Sequence, residues 1–291
     1  MAKAVAEGEL VRVARGVFRW AGDLAPREAH IARVRAIMSR QGSVVASHAS
    51  AAVIHGLVIH GAVPELVHLT VAPPARVRKR SGYHVHVVPL TAEDVIEVDG
   101  VRVTSLARTA ADLARTAEFA WAVAAADQAL RRGVRVADLV AVADAAPGMK
   151  GNAALRAVGA FADGRSGSVA ESISRVTIQR AGLPKPVLQF EVAGPEGWAG
   201  CSDFGWPDQG MVGEMDGEAK YRDRLEAKRQ APEKVFGAER GRDDAIRRAN
   251  WWVVHWGWAT AWDTRALGHK IREGFEDARR FRRDGGGRST N

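Results

Sequence analysis

Three carboxylates carry the strongest chemical signal in this chain. Asp203, Glu214 and Asp216 lie in two short segments, 201–206 and 211–216, joined by Pro207-Asp-Gln-Gly210. Proline and glycine punctuate turns, so the segments read as an antiparallel hairpin with a four-residue loop. Pairing Trp206 with Met211 sets Asp203 opposite Glu214, and strand alternation adds Asp216 to the same face. The other face collects Phe204, Trp206, Met211 and Met215, a core face. Clustered like charges repel unless a cation sits among them, and a hard divalent cation takes carboxylate oxygens. Asp203, Glu214 and Asp216 are therefore expected to hold Mg2+ (or Mn2+). A solvated acidic face on an edge hairpin is the alternative.

Other groups converge on this hairpin or stand apart from it. Ser168-Val-Ala-Glu171 matches a capping box at the start of a helix. Glu171 reads equally as a cap or as a further metal or water ligand over the sheet. In the strand 187–192, alternation groups Leu188, Phe190 and Val192 on one face. Gln189 and Glu191 take the other, which places Gln189 beside the acids. The segment 232–249 reads as a charged helix carrying Arg240, Arg242, Asp243 and Asp244. Its cations suit phosphate contacts, and a solvated mixed-charge face is the competing reading. In the final strand, 252–258, alternation makes Trp252, Val254, Trp256 and Trp258 core. His255, a lone histidine on a strand, reads as structural. His84-Val-His86 puts two imidazoles on one strand face, a possible zinc pair for which no third ligand has convincing spacing.

These groups need elements to position them. The chain has 291 residues and a formal net charge of +8. That length suits two domains, and the charge favours a polyanionic partner, nucleic acid before membrane. No apolar run spans a bilayer and no signal-peptide pattern opens the chain, so a cytoplasmic location is expected. The single cysteine, Cys201, excludes an intramolecular disulfide framework. Residues 10–20 read as two strands around Gly16, the shape of a wing. Helices are expected at 26–41 and 43–57, and strands at 67–71, 83–88 and 101–103. Further helices follow at 106–117, capped by Thr104 or Ser105, then at 119–132 and 138–145. Residues 147–168 read as a connecting segment, with the domain boundary in Asp163-Gly-Arg-Ser-Gly-Ser168. A helix at 169–181, the strands above and a terminal helix complete the second half. The tail 284–291 is expected to be disordered.

The second half resembles the PD-(D/E)xK nuclease core, and within it the group related to very-short-patch repair endonucleases. Ser168-Val-Ala-Glu171, Gln189, Ser202-Asp203-Phe204, Val212-Gly-Glu214-Met-Asp216-Gly217, Lys220-Tyr221, Arg242-Asp243-Asp244 and Trp252-Val-Val254 carry the resemblance. It implies an α-β-β-β-α-β, restriction-endonuclease-like fold and Mg2+-dependent phosphodiester hydrolysis. Glu171, Gln189, Asp203, Glu214, Asp216 and Lys220 would form the site. The lysine that the family places two residues after its glutamate is here Asp216, and Lys220 is the expected substitute. The first half resembles AbiEi-family antitoxins through Gly8-Glu-Leu-Val-Arg-Val-Ala-Arg-Gly-Val-Phe18, Ser47-His-Ala-Ser-Ala-Ala-Val-Ile-His-Gly-Leu57, His68-Leu-Thr-Val71 and Val103-Thr-Ser-Leu-Ala-Arg-Thr-Ala-Ala-Asp-Leu-Ala114. Residues 1–25 then correspond to the wing-like remnant of a winged helix, 26–163 to the antitoxin-like domain and 164–283 to the nuclease-like domain.

Together these readings predict an α/β protein whose second domain cuts DNA in defence or repair. Arg12, Arg15, Arg76, Arg78, Lys79, Arg80, Arg240 and Arg242 are the expected phosphate contacts. The competing expectation is a non-enzymatic DNA-binding regulator, an antitoxin with a degenerate nuclease fold. A toxin protein would then be a second partner.

Overall fold

The structure is a computed structural model that describes all residues except 1, 8, 15, 42, 62, 75–81, 195–196, 217–240 and 285–291. The chain divides into two compact units, Met1–Gly164 and Arg165–Asn291. Both mix helices with sheets, so the protein is of the α/β class.

The first unit begins with a short helix α1 (Ala2–Ala6) and a two-stranded hairpin, β1 (Leu10–Ala14) and β2 (Val17–Trp20). Gly16, at φ +71, turns the chain between them, a conformation that costs glycine little. Helix α2 (Pro26–Met38) opens on a proline, and the Glu28 carboxylate accepts the Ala25 N–H at 3.0 Å. The main sheet has the order β5-β4-β3-β7-β6. Its strands are β3 (Val45–Ala46), β4 (Val67–Val71), β5 (Tyr83–Val87), β6 (Val95–Val98) and β7 (Val101–Thr104). Strands β4 and β5 run parallel, with His68 beside His84 and Thr70 beside His86. Val34 and Ile37 of α2 close over Ala46, Val67, Leu69 and Val103 to form the core.

Helix α3 (His48–His55) ends on left-handed Gly56. Four helices follow: α4 (Leu106–Thr116), α5 (Phe119–Arg131), α6 (Val136–Asp144) and α7 (Asn152–Phe161). Their buried faces are rich in alanine, which lets the helices approach closely. Arg108 on α4 is buried and bonds Asp112 at 3.0 Å and Asp94 at 2.7 Å. Arg108 therefore has a packing role, since a buried guanidinium needs its carboxylates.

Several expectations for this unit need correction. Residues 43–46 are not helical; Val45–Ala46 is a central strand and the helix begins at His48. β-branched valines buried between two strands override a weak helical pattern. Strand β6 was not expected. It pairs with β7 across Asp99-Gly100, both with positive φ, which is the favoured two-residue hairpin turn. Helix α7 lies inside the segment read as a connection. Of the two candidate caps, Ser105 accepts the Arg108 N–H.

The second unit is a four-stranded sheet in the order β11-β10-β9-β8. It starts with helix α8 (Val169–Arg180), then β8 (Val187–Gly194), β9 (Gly197–Trp206), a 3-10 turn (Pro207–Gln209) and β10 (Met211–Asp216). Residues 241–248 are helical (α9), and β11 (Trp252–Gly257) follows. Helices α10 (Trp258–Trp262) and α11 (Thr264–Arg283) end the unit. Strands β8, β9 and β10 form an antiparallel meander, while β11 lies parallel to β10. Parallel neighbours require a crossover, and α9 lies within it.

Phe204, Trp206, Met211, Met215, Val254 and Trp256 cover one face, against Ala170 and Ile178 of α8 and Leu267 and Ile271 of α11. The opposite face carries Val192, Val212 and Val253 beneath Ile246 of α9. Gly213 lies flat under Trp256, where an added Cβ would approach the indole to 2.6 Å. Among the described residues no helix is long and apolar enough to cross a membrane.

Two sequence expectations fail in this sheet. Phe190 does not share a face with Leu188. Leu188 belongs to the first core, whereas Phe190 packs on Trp251 at 4.9 Å and lies over Gly205. Gln189 between them adopts φ +48, and this left-handed residue breaks the alternation. Trp258 is not a core strand residue; it begins α10 and is 39% exposed.

Candidate functional site

Trp206 pairs with Met211, Gly205 with Val212 and Phe204 with Gly213. The next step in this register sets Asp203 opposite Glu214. On the outer side of β9, Leu188 pairs with Phe204 and Phe190 with Ser202, so Gln189 falls opposite Asp203. On the inner side of the sheet, Glu214 pairs with His255 of β11. Glu214 and His255 are thus directly paired, and Gln189 and Asp203 occupy the neighbouring positions of β8 and β9.

Asp203 and Glu214 are both buried. Asp203 Oδ2 accepts the Met215 backbone N–H at 2.8 Å, which orients the carboxylate along β10. Glu214 Oε2 lies 3.4 Å from an Arg242 nitrogen, and its buried Oε1 has no hydrogen-bond partner among the described residues. Burial pushes the Glu214 carboxyl up to about 7, and the Asp203 charge adds to this; Arg242 opposes it. A buried carboxylate oxygen with open lone pairs, facing a second carboxylate, is a donor set that suits a hard divalent cation. Asp203 and Glu214 fit such an ion.

Asp216 lies on the same face but is turned away from the pair. Its carboxylate bonds His255 Nδ1 at 3.0 Å, and His255 Nε2 bonds Asp243 Oδ2 at 2.8 Å. The Asp216 hydrogen bond, with the Asp243 and Asp216 charges, raises the imidazole to about 9 against its burial. His255 is thus an imidazolium held between two carboxylates. Of the three acids read as a metal group, Asp216 is engaged by His255, whereas Asp203 and Glu214 are buried together. Among the described residues no three His, Cys, Asp or Glu groups surround one point.

Glu171 takes part in the helix cap, one of the two tasks read for it. Its N–H donates to Ser168 Oγ at 3.1 Å, and its carboxylate accepts from the Gly167 N–H at 2.6 Å. The same oxygen accepts from Gln189 Nε2 at 3.0 Å, which links the helix start to β8. The left-handed backbone at Gln189 aims this amide. Strain of this kind concentrates at functional sites. Cys201 Sγ lies 3.8 Å from Gln189 Oε1, and its thiol is pushed up by burial and then by Glu214.

Sequence reasoning read His255 as structural and Asp243 as part of a charged segment, without joining either to Asp216. Arg242, an expected phosphate contact, stands at the acid pair. The signal for His255 is its parity with Val253, which places it over Val212 and Glu214 once β11 is known to run parallel to β10. Among the expected DNA contacts, Arg12 lies on β1 opposite Phe18. Lys220, Arg15, Arg76, Arg78, Lys79, Arg80 and Arg240 lie outside the described residues, as does the expected tail beyond 284.

The fold and this site define an α/β protein with an acid pair and two cations on one sheet face. The chain belongs to the family of two uncharacterized proteins of Mycobacterium tuberculosis, Rv2248 of strain H37Rv and MT2308 of strain CDC 1551. Each is 33% identical over 216 residues, covering 73% of this chain and 75% of its own length. No family model matches the chain.

Proposed function

We propose that the second unit is a Mg2+-dependent deoxyribonuclease domain of the PD-(D/E)xK type. The observation that carries this reading is the buried Asp203–Glu214 pair beside Arg242 and His255, with Glu214 Oε1 unpartnered among the described residues. The element order α8-β8-β9-β10-α9-β11 supports it. The metal, when bound, would polarise a phosphate oxygen and lower the pKa of an attacking water. Asp203 and Glu214 would hold it. Arg242 would face the phosphate charge, and Gln189 with Glu171 would keep the outer end of the site rigid. His255 would keep Asp216 and Asp243 neutralised, so that these acids do not repel DNA. Lys220 is the proposed group for the developing phosphate charge.

A second reading is favoured by Asp216 at the family's lysine position and by the exposed β1–β2 hairpin, where Trp20 is 72% exposed. In it the protein is a DNA-binding regulator of antitoxin type. A cleavage assay on plasmid, linear and single-stranded DNA with Mg2+ or Mn2+ separates the two. Metal-dependent cutting that disappears in Asp203→Ala supports the nuclease. Retarded but uncut DNA supports the regulator.

A further inference from the structure

The first unit gathers four histidines that the acid site does not use. His68 lies on β4, His84 and His86 lie on β5, and His48 starts α3. Because β4 and β5 are parallel, His68 stands beside His84 and Thr70 beside His86, all on the face away from Val67 and Leu69. His68 Nδ1 and His86 Nε2 are 3.1 Å apart. This contact is an N–H···N hydrogen bond between the two rings; two imidazole nitrogens bound at about 2.0–2.1 Å to one tetrahedral zinc stand roughly 3.3 Å apart, so zinc could take the place of the shared proton with little movement of the pair. The His84 ring lies 4.4 Å from His86 and 5.6 Å from His68, centroid to centroid, and it is exposed.

A second layer supports this group. His48 stacks on His86 with centroids 3.6 Å apart. Its Nδ1 lies 3.0 Å from Ser47 Oγ and 3.9 Å from Asp112 Oδ2, a buried carboxylate oxygen with no hydrogen-bond partner among the described residues. His48 also adopts φ +50, a strained backbone for a residue with a side chain. His48 thus packs its ring face against His86 and fixes the position of that ring from behind.

We propose that His68, His84 and His86 form a zinc site in the first unit, with the fourth position open to solvent and His48, Ser47 and Asp112 as its supporting layer. As they stand the three rings do not converge on one point; in this proposal zinc binding turns the exposed His84 ring toward the His68–His86 pair to supply the third nitrogen. Imidazole donors without thiolate or paired carboxylates select zinc over the magnesium proposed for the second unit.

The test uses the full chain without a histidine tag, in an Asp203→Asn/Glu214→Gln background that silences the acid pair. Zn2+ is titrated in competition with a chromophoric chelator. Co2+ is added separately, and its visible absorption reads the coordination geometry. One equivalent of Zn2+ should bind, with a tetrahedral Co2+ spectrum. His84→Ala changes an exposed residue and should weaken Zn2+ binding at least about 100-fold while leaving the circular dichroism spectrum unchanged. His68→Ala and His86→Ala should do the same, and His60→Ala should change nothing. Absence of stoichiometric Zn2+ binding, or undiminished affinity in His84→Ala, would overturn the site. Zinc that binds only when the acid pair is intact would overturn it too.

Discussion

Asp203 reaches across the hairpin to accept the backbone N–H of Met215 at 2.8 Å. The same carboxylate that faces Glu214 therefore also holds the end of β10. This double use separates stability from chemistry. Asn at 203 keeps a carbonyl oxygen for the Met215 N–H, whereas Ala leaves that buried donor unmet. Asp203→Ala should cost about 1–3 kcal/mol in chemical denaturation and Asp203→Asn much less. Both should abolish Mg2+-dependent cleavage. If Asn restores cutting along with stability, Asp203 is not a metal ligand.

Glu214 gives the protein a defined pH response. Its carboxyl is raised from an ordinary value near 4.5 to about 7 in the folded chain. The folded state then binds a proton more tightly than the unfolded state, so stability from this group is present at low pH and is lost as pH rises from about 4.5 to 7. The full shift corresponds to a loss on the order of 3 kcal/mol. Thermal unfolding of the metal-free protein should show falling stability across this window, and Glu214→Gln should flatten it. Mg2+ favours the ionised form, so the stabilisation it confers should be small at pH 5.5 and should grow through pH 7. Equal Mg2+ stabilisation at both pH values would place the ion elsewhere.

His255 acts in the same direction over a higher range. Its folded pKa of about 9 lies above the ordinary 6.5, so its contribution is complete below pH 6.5 and disappears as pH rises through 9. His255→Gln should remove the loss of stability between pH 7 and 9 while the Glu214 response below pH 7 persists. Unfolding midpoints measured from pH 6 to 10 check this. An unchanged alkaline limb would mean that the Asp216–His255–Asp243 bonds do not form in solution.

Gln189 carries strain that glycine would relieve. At φ +48 a side chain costs roughly 1 kcal/mol relative to glycine, while the amide contributes its hydrogen bond to Glu171. Gln189→Ala should lose the bond and keep the strain, and Gln189→Gly should lose the bond and relieve the strain. Gly is therefore expected to be the more stable variant by about 1 kcal/mol in urea denaturation, the reverse of the usual order within a strand. Ala being the more stable variant would argue against the left-handed backbone.

Lys220 decides whether the proposed nuclease has its cation. Lys220→Ala should lower cleavage by orders of magnitude while Mg2+ stabilisation of the fold stays near that of the parent, because charge builds on the phosphate only in the transition state. Unaltered cleavage in Lys220→Ala, with loss in Arg242→Ala, would move that role to Arg242.

The hairpin that sets Asp203 against Glu214 was legible because its register follows from a turn of contiguous residues and from one greasy face. Phe204, Trp206, Met211 and Met215 could not shift by one position without exposing all four. The start of α8 was legible for the same local reason, since Ser168 and Glu171 lie within one helical turn. His255 was not, because it reaches Asp216 from 39 residues away through parallel pairing of β10 with β11, whose register no local turn specifies. The sequence offered His84 and His86 as a pair. Only the parallel β4–β5 register brings His68 beside them, and only the packing of α3 lays His48 against His86. Phe190 changes face because filling the space over Gly205 and against Trp251 outweighs the backbone cost at Gln189, a balance visible only once the sheet and its neighbours are assembled.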